Sequence, residues 1–214
     1  MINVAIDGPA GAGKSSIARA VAAEIGFIYV DTGALYRSVA LYALENGLEG
    51  ETLTSSLDNV DVRLEFIDKS QHVILNGKDV SDDIRTPEVS MNASKVSAIP
   101  EVRSFLFGLQ KKIASENNTI MDGRDIGTVV LPDAQLKVFL TASAEERANR
   151  RFKEMKDSDV TYEQILQDIK QRDYNDMHRE TAPLKQADDA VLLDTTNMTI
   201  DEVIEKLKSM ISEI

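Results

Sequence analysis

The chain has 214 residues, a formal net charge of −12 at pH 7, 43% hydrophobic residues and no cysteine. That is enough chain for one large domain, or a core with a small insert, around a real hydrophobic interior. It excludes disulfides, thiolate metal sites and a cysteine nucleophile, and the acidic balance argues against binding a nucleic acid polymer, which needs a basic face.

Residues 2–6 read as a short buried strand, 8–15 as a glycine-rich turn, and 16–25 as a helix stopped by Gly26. A second apolar run at 27–30 and a second helix at 34–44 continue the alternation that predicts βαβ units and a parallel sheet. The rhythm then changes. Val62-Arg63-Leu64-Glu65-Phe66 alternates with period two, and Asn76-Gly77 is a strong hairpin signal, so residues 60–82 read as a small antiparallel insert. Thr86-Pro87 opens one helix and Pro100 another, to about residue 115, with Val102, Phe105, Leu109 and Ile113 expected inward. The parallel pattern resumes with a strand at 119–121, a glycine-containing loop at 122–132 and a strand at 136–140. A charged helix at 144–156 follows. Capping boxes at Thr161–Gln164 and Thr199–Glu202 open helices on either side of a last strand at 191–193, the first running to about residue 180.

Gly8-Pro9-Ala10-Gly11-Ala12-Gly13-Lys14-Ser15 matches G-x-x-x-x-G-K-[ST] between a strand and a helix. The glycines let successive N–H groups converge on phosphate oxygens at the positive end of the helix. Lys14, expected to stand exposed at this cradle, reaches the β and γ phosphates, and a hydroxyl ligates Mg2+. A glycine-rich turn without nucleotide is the plainer alternative. The N-K-x-D segment of a GTPase is not matched, because Asn76-Gly77-Lys78-Asp79 has other spacing and falls in the hairpin turn.

An acidic chain that binds an anion needs a local cluster of positive charge, so its eleven arginines matter one by one. Arg147, Arg150 and Arg151 share one helix face, and so do Arg172, Asp176 and Arg179. Each stripe alone also fits a solvated, ion-paired surface. Beside a P-loop they fit the cations that phosphoryl transfer requires. Asp31-Thr32-Gly33-Ala34-Leu35-Tyr36-Arg37 and Asp122-Gly123-Arg124-Asp125 follow strands at the edge where open α/β sheets bind ligands. Asp122 stands where a carboxylate could orient water around Mg2+.

With these segments assembled, the chain resembles the bacterial cytidylate kinase family. Ile6–Lys14, Asp31–Arg37, Asp122–Val130 and Glu145–Arg151 carry the likeness, with Asp79-Val80-Ser81, Ile84-Arg85-Thr86 and Ala182-Pro183-Leu184. The resemblance implies an α/β fold: a P-loop NTPase core with a parallel sheet flanked by helices (1–59 and 83–214). To this it adds a short helical lid around 147–172, and it places the 60–82 insert on the nucleoside monophosphate side. It implies direct in-line transfer of a phosphoryl group from ATP, with Mg2+, to CMP and dCMP.

ATP would contact Gly8, Pro9, Ala10, Gly11, Ala12, Gly13, Lys14, Ser15 and Ser16. Thr32, Arg37, Arg124 and Arg179 would hold the CMP phosphate, with Tyr36 beside them. Ser94, Arg103 and Asp125 would read cytosine, and Arg172 and Asp176 would face the ribose. Lys14, Arg147, Arg150 and Arg151 would be catalytic. The motif favours Ser15 as the magnesium ligand, while alignment with relatives that carry Gly-Thr after the lysine leaves Ser16 open. Asn175 stands where some relatives have another arginine. No stretch approaches the roughly 18 apolar residues of a membrane helix, and the first residues lack the features of a secretory signal. The expectation is a cytoplasmic monomer.

Overall fold

The computed structural model describes residues 1–67, 70–154 and 160–214, without the side chains of Phe66 and Ser70. Five parallel strands form the central sheet in the order β2-β6-β1-β7-β8. They are β1 (Asn3–Asp7), β2 (Ile28–Asp31), β6 (Thr119–Gly123), β7 (Leu136–Thr141) and β8 (Val191–Asp194). The register pairs Asp7 with Gly123 and Asp31 with Asp122, so the carboxyl ends of β1, β2 and β6 finish level with one another.

Helix α1 (Lys14–Ile25) covers one face through Ile17, Ala18 and Val21, with α8 (Ile200–Ser212) beside it through Val203, Leu207 and Ile211. The other face packs Ala5, Val30 and Met121 against Ala114 of α5 (Pro100–Glu116) and against Ile126 and Val130. Each side chain here is apolar because strands covered on both faces have no solvent side to alternate toward. Helix α2 (Thr32–Asn46) leaves β2 and packs with α4 (Pro87–Val96) around Leu35, Val39, Val89 and Val96. A short helix, α3 (Gly50–Thr54), precedes the insert.

The insert is a three-stranded antiparallel sheet of β3 (Val62–Ile67), β4 (Ser70–Leu75) and β5 (Lys78–Asp79). Asn76 and Gly77 both take positive φ, 49° and 83°, as a two-residue hairpin turn demands. Pro87 follows its Thr86 cap, and both expected capping boxes form, opening α7 (Tyr162–His178) and α8.

The structure departs from expectation at three places. Asp122 and Gly123 belong to β6, and Ile126–Val130 coil into a single wide helical turn, so 122–132 is not a plain loop. On α5 the expected Val102 is buried and Phe105, Leu109 and Ile113 pack half-buried against the core, but the other buried positions lie one residue on, at Arg103, Leu106, Gln110 and Ala114. A hydrophobic count misses that face because two of its members are polar. Helix α7 ends at His178, and Arg179 leaves it with extended backbone, so it does not extend the Arg172–Asp176 stripe by a further turn. The described part of α6 is Ala144–Glu154, and its expected last residues lie among 155–159, outside the described residues.

Candidate active site

The turn from β1 into α1 lies tight against β7. A Cβ on Gly8 would fall 1.9 Å from the carbonyl oxygen of Leu140, so no other residue fits without moving that strand. Lys14 is not exposed as expected. It is 5% accessible, and its Nζ donates to the carbonyls of Gly8 and Pro9 at 2.8 Å each. The loop curls around its own ammonium group, and this buries it. Burial lowers the Lys14 pKa to about 7, aided by the charge of Arg124 and opposed by Asp122 and Asp7. An anion beside it would favour the charged form.

Asp122 sits at the end of β6 with all three of its oxygens held. Ser15 Oγ donates to Oδ2 at 2.9 Å and the Tyr29 hydroxyl to Oδ1 at 2.9 Å. The hydroxyl of Thr32 donates to its main-chain carbonyl at 2.7 Å. Burial, then the charge of Asp31, pushes the Asp122 carboxyl up to about 6. Ser16 is exposed on the cleft side of the cradle and Ser15 half-buried.

Across the cleft, Asp31 caps α2. It accepts from the Ala34 N–H at 2.9 Å and from Arg37 Nη2 at 2.9 Å, which fixes Arg37 over the first turn. The insert reaches this junction through Gln71, whose Oε1 accepts from the Asp31 N–H at 3.0 Å. Gly123 serves the same closeness, since a Cβ there would stand 2.7 Å from the Ile126 side chain and 2.8 Å from the Thr32 hydroxyl, and those side chains would have to shift. Arg124 Nε donates to Asp176 at 2.8 Å, tying the end of β6 to α7.

Arg103 forms a buried ion pair with Asp125, donates to the Ser97 carbonyl at 3.2 Å, and lies 5.6 Å from the centre of the Tyr36 ring. Arg179 approaches the other oxygen of Asp125 at 3.6 Å while its Nε donates to the Ala182 carbonyl at 2.7 Å. Burial raises the Asp125 carboxyl, against the pull of Arg103 and Arg179. Ser94 of α4 lines the same end of the cleft.

Helix α6 presents three arginines in three settings. Arg147 is buried. It donates to the carbonyls of Ala10 and Ala142 and pairs through both terminal nitrogens with Asp173 of α7. Arg150 pairs with Glu146 one turn back and donates to the Thr195 carbonyl at 2.7 Å. Arg151 is exposed at the rim. The solvated-ladder alternative thus fits the Arg150–Glu146 contact and fails for Arg147.

Together these residues line one cleft of about 400 Å³. Eight of the chain's eleven arginines and Lys14 face it, against four aspartates and one glutamate, in a protein whose net charge is −12. The Nε atoms of Arg37 and Arg172 and one Nη of Arg179 are buried without a hydrogen-bond partner among the described residues. Buried donors are ordinarily satisfied, and these three arginines line a cleft where an anion's oxygens would satisfy them. All the sequence-predicted site residues lie in or against this cleft except Gly8 and Pro9, which shape the loop from behind through Lys14.

Tyr29, Asp173 and Gln71 belong to no motif that the sequence shows. The same holds for the role of Asp7, whose carboxylate accepts the N–H groups of Ile126 and Gly127. Each partner is 26 or more residues away, and no local spacing signals such contacts.

A parallel sheet with a phosphate-binding turn after β1 and a cation-lined cleft at its carboxyl edge defines a P-loop phosphotransferase. The profile of the cytidylate kinase family matches residues 4–213. Cytidylate kinase of Caldicellulosiruptor saccharolyticus is 52% identical over 100% of this chain and 96% of its own length. That of Carboxydothermus hydrogenoformans is 49% identical over 98% and 97%. The chain belongs to the cytidylate kinase family, a family of nucleoside monophosphate kinases. The solved structures that resemble it include two with little sequence identity, where the likeness is one of fold alone. One is an uncharacterized protein from Eubacterium ventriosum (12% identical, TM-score 0.55, 100% of this chain and 99% of that one). The other is a gluconokinase from Sinorhizobium meliloti (15%, 0.50, 99% and 92%).

Proposed function

We propose that this chain transfers the γ-phosphoryl group of ATP to the phosphate of CMP, and of dCMP, in one in-line displacement. The observation that carries the reading is that Arg37, Arg172 and Arg179 line one cleft opposite a P-loop with buried guanidinium donors that lack a hydrogen-bond partner among the described residues, at an end closed by Arg103 and Asp125. An oxygen of the acceptor phosphate attacks the γ phosphorus, the bond to the β–γ bridging oxygen breaks, and ADP leaves with that electron pair. The acceptor oxygen is already anionic near neutral pH, so no side chain needs to become a covalent nucleophile. Positioning and charge neutralisation suffice.

In this reading Gly8–Ser16 hold ATP, and Thr32, Arg37, Arg124 and Arg179 hold the acceptor phosphate, with Tyr36 beside them. Arg172 and Asp176 face the ribose. Arg147 fixes the loop while Arg150 and Arg151 meet charge that develops on the moving group. The insert at 60–82 belongs to the acceptor side, a role supported by the Gln71 contact to Asp31.

Mg2+ bound with ATP fits the donor set. A hydroxyl and a carboxylate 2.9 Å apart at the cradle are hard oxygen ligands, too few for a protein cage and suited to an ion that keeps its waters and binds phosphates. Ser15 would hold it directly and Asp122 through water, and it would neutralise phosphate charge.

Cytosine offers an N4 amine donor beside the N3 and O2 acceptors, which asks for a carboxylate and donors. Asp125, Arg103 and Ser94 supply them. Uracil inverts two of those positions, and each buried mismatch costs roughly 1–3 kcal/mol, so a preference for CMP of about a hundredfold follows. ADP release measured with CMP, dCMP, UMP and AMP tests this. CMP and dCMP should lead, and equal turnover of UMP or AMP would refute the assignment.

A further inference from the structure

We propose that Tyr29 is a positioning residue of the phosphate site: its hydroxyl fixes the carboxylate of Asp122 in the orientation that meets Ser15. The inference rests on the reading of Asp122 and Ser15 given above, and concerns a strand residue outside every phosphate-binding motif.

The placement follows from sheet geometry. Side chains two apart on a strand share a face, and register partners in neighbouring strands point the same way. Tyr29 pairs with Ile120 and Asp31 with Asp122, so Tyr29, Asp31, Ile120 and Asp122 all face α1. From two residues upstream, the phenol spans the distance along β2 and delivers its hydroxyl to Asp122 Oδ1 at 2.9 Å. The other oxygen, Oδ2, accepts from Ser15 Oγ at 2.9 Å.

The phenol is itself immobilised. Tyr29 is 7% exposed, packs with the apolar residues under α1, and has the guanidinium carbon of Arg19 5.5 Å from its ring centre. An ordinary phenol titrates near about 10, so near neutral pH the hydroxyl keeps its proton and serves as a donor. A carboxylate with one oxygen occupied by a rigid donor has one oxygen left to share between Ser15 and the water of a metal shell. Without that donor, both oxygens could rotate away from the cradle.

The test compares wild type with Tyr29→Phe, Asp122→Asn and the double variant, by calorimetric titration of ATP with Mg2+ present and with Mg2+ chelated. Melting temperature and CMP affinity are read on the same proteins. Tyr29→Phe should weaken ATP binding in Mg2+ roughly tenfold, the scale of one hydrogen bond to a charged group, with little change when Mg2+ is chelated and none in CMP affinity. The double variant should be no weaker than Asp122→Asn alone, since Tyr29 acts through Asp122.

If Asp122→Asn loses the Mg2+-dependent increment and Tyr29→Phe keeps it, the tyrosine is structural and the proposal fails while the reading of Asp122 stands. A lowered melting temperature with unchanged Mg2+-dependent binding leads to the same conclusion. If Asp122→Asn keeps the increment, both fall.

Discussion

Arg147 joins Asp173 across the two helices that frame the cleft, and the same guanidinium nitrogen that meets the carboxylate at 3.0 Å also donates to the carbonyl of Ala10 in the P-loop at 2.8 Å. One side chain therefore couples α6, α7 and the phosphate cradle. Its side chain is 5% exposed and that of Asp173 14%, so the pair is held largely out of water. Truncating one partner of such a pair leaves a buried charge uncompensated, at a cost of about 3–5 kcal/mol.

Arg147→Ala should therefore lose stability on that scale, while Arg151→Ala, at the exposed rim, should stay within about 0.5 kcal/mol of wild type. Denaturant titrations of the two variants check this. Equal stabilities would mean that Arg147 is not the clamp.

Lys14→Ala should remove most transfer, by about a hundredfold or more in kcat, as loss of a preorganised cation at a developing charge does. The fold should survive, because the contacts of Lys14 are to carbonyls of its own loop and not to the hydrophobic core. Circular dichroism and the melting temperature separate the two effects. A variant with near-normal kcat would remove Lys14 from the mechanism.

The arginines divide by position. Arg179 lies against Asp125 at the acceptor end, so Arg179→Ala should raise KM for CMP through a lost charge-assisted contact. Arg151→Ala should lower kcat more than it raises KM, as a contact made mainly in the transition state does. Steady-state kinetics on both variants decide. Equal, small effects at the two sites would return these residues to a solvated surface.

Asp7 gives a pH signature in stability. Its carboxylate accepts the Ile126 and Gly127 N–H groups at 2.8 and 2.7 Å, and burial, reinforced by the charge of Asp125, raises its pKa from 3.8 to about 6. A folded-state pKa above the unfolded value means that the native state holds this proton more tightly. The stabilisation is complete below 3.8 and disappears as pH rises through about 6. Asp7→Asn cannot ionise. Measured against wild type, it should gain stability between those pH values, by up to about 3 kcal/mol, with a constant difference on either side. A difference independent of pH would contradict this.

Much of the architecture was legible locally. The Gly8–Ser15 turn, the Asn76-Gly77 hairpin, the Thr86 cap and the two capping boxes each depend on residues within a few positions of one another. These elements appear where spacing places them. The site was legible as a set of candidate residues, and less so as a set of contacts. The helix pattern of α5 finds Val102, Phe105, Leu109 and Ile113 but not Arg103 and Gln110, because a polar residue on a buried face reads as solvent-exposed. Arg179 extended the α7 periodicity on paper, yet the chain turns out of the helix there toward Ala182. Lys14 looked exposed because burial by a loop's own carbonyls has no signature in composition. Tyr29 and Asp7 act on Asp122 and on Ile126–Gly127 across roughly 90 to 120 residues, and only the sheet register brings them together.

The choice of base is the central claim, and Asp125→Asn tests it most directly. The asparagine keeps the shape of the side chain and offers an amide that can donate to uracil O4. The measurement is kcat/KM for CMP and for UMP in wild type and variant. The account predicts a strong fall for CMP, a much smaller one for UMP, and so a narrowed ratio. An unchanged CMP:UMP ratio would mean that Asp125 does not read the base, and that its pairing with Arg103 serves the fold instead.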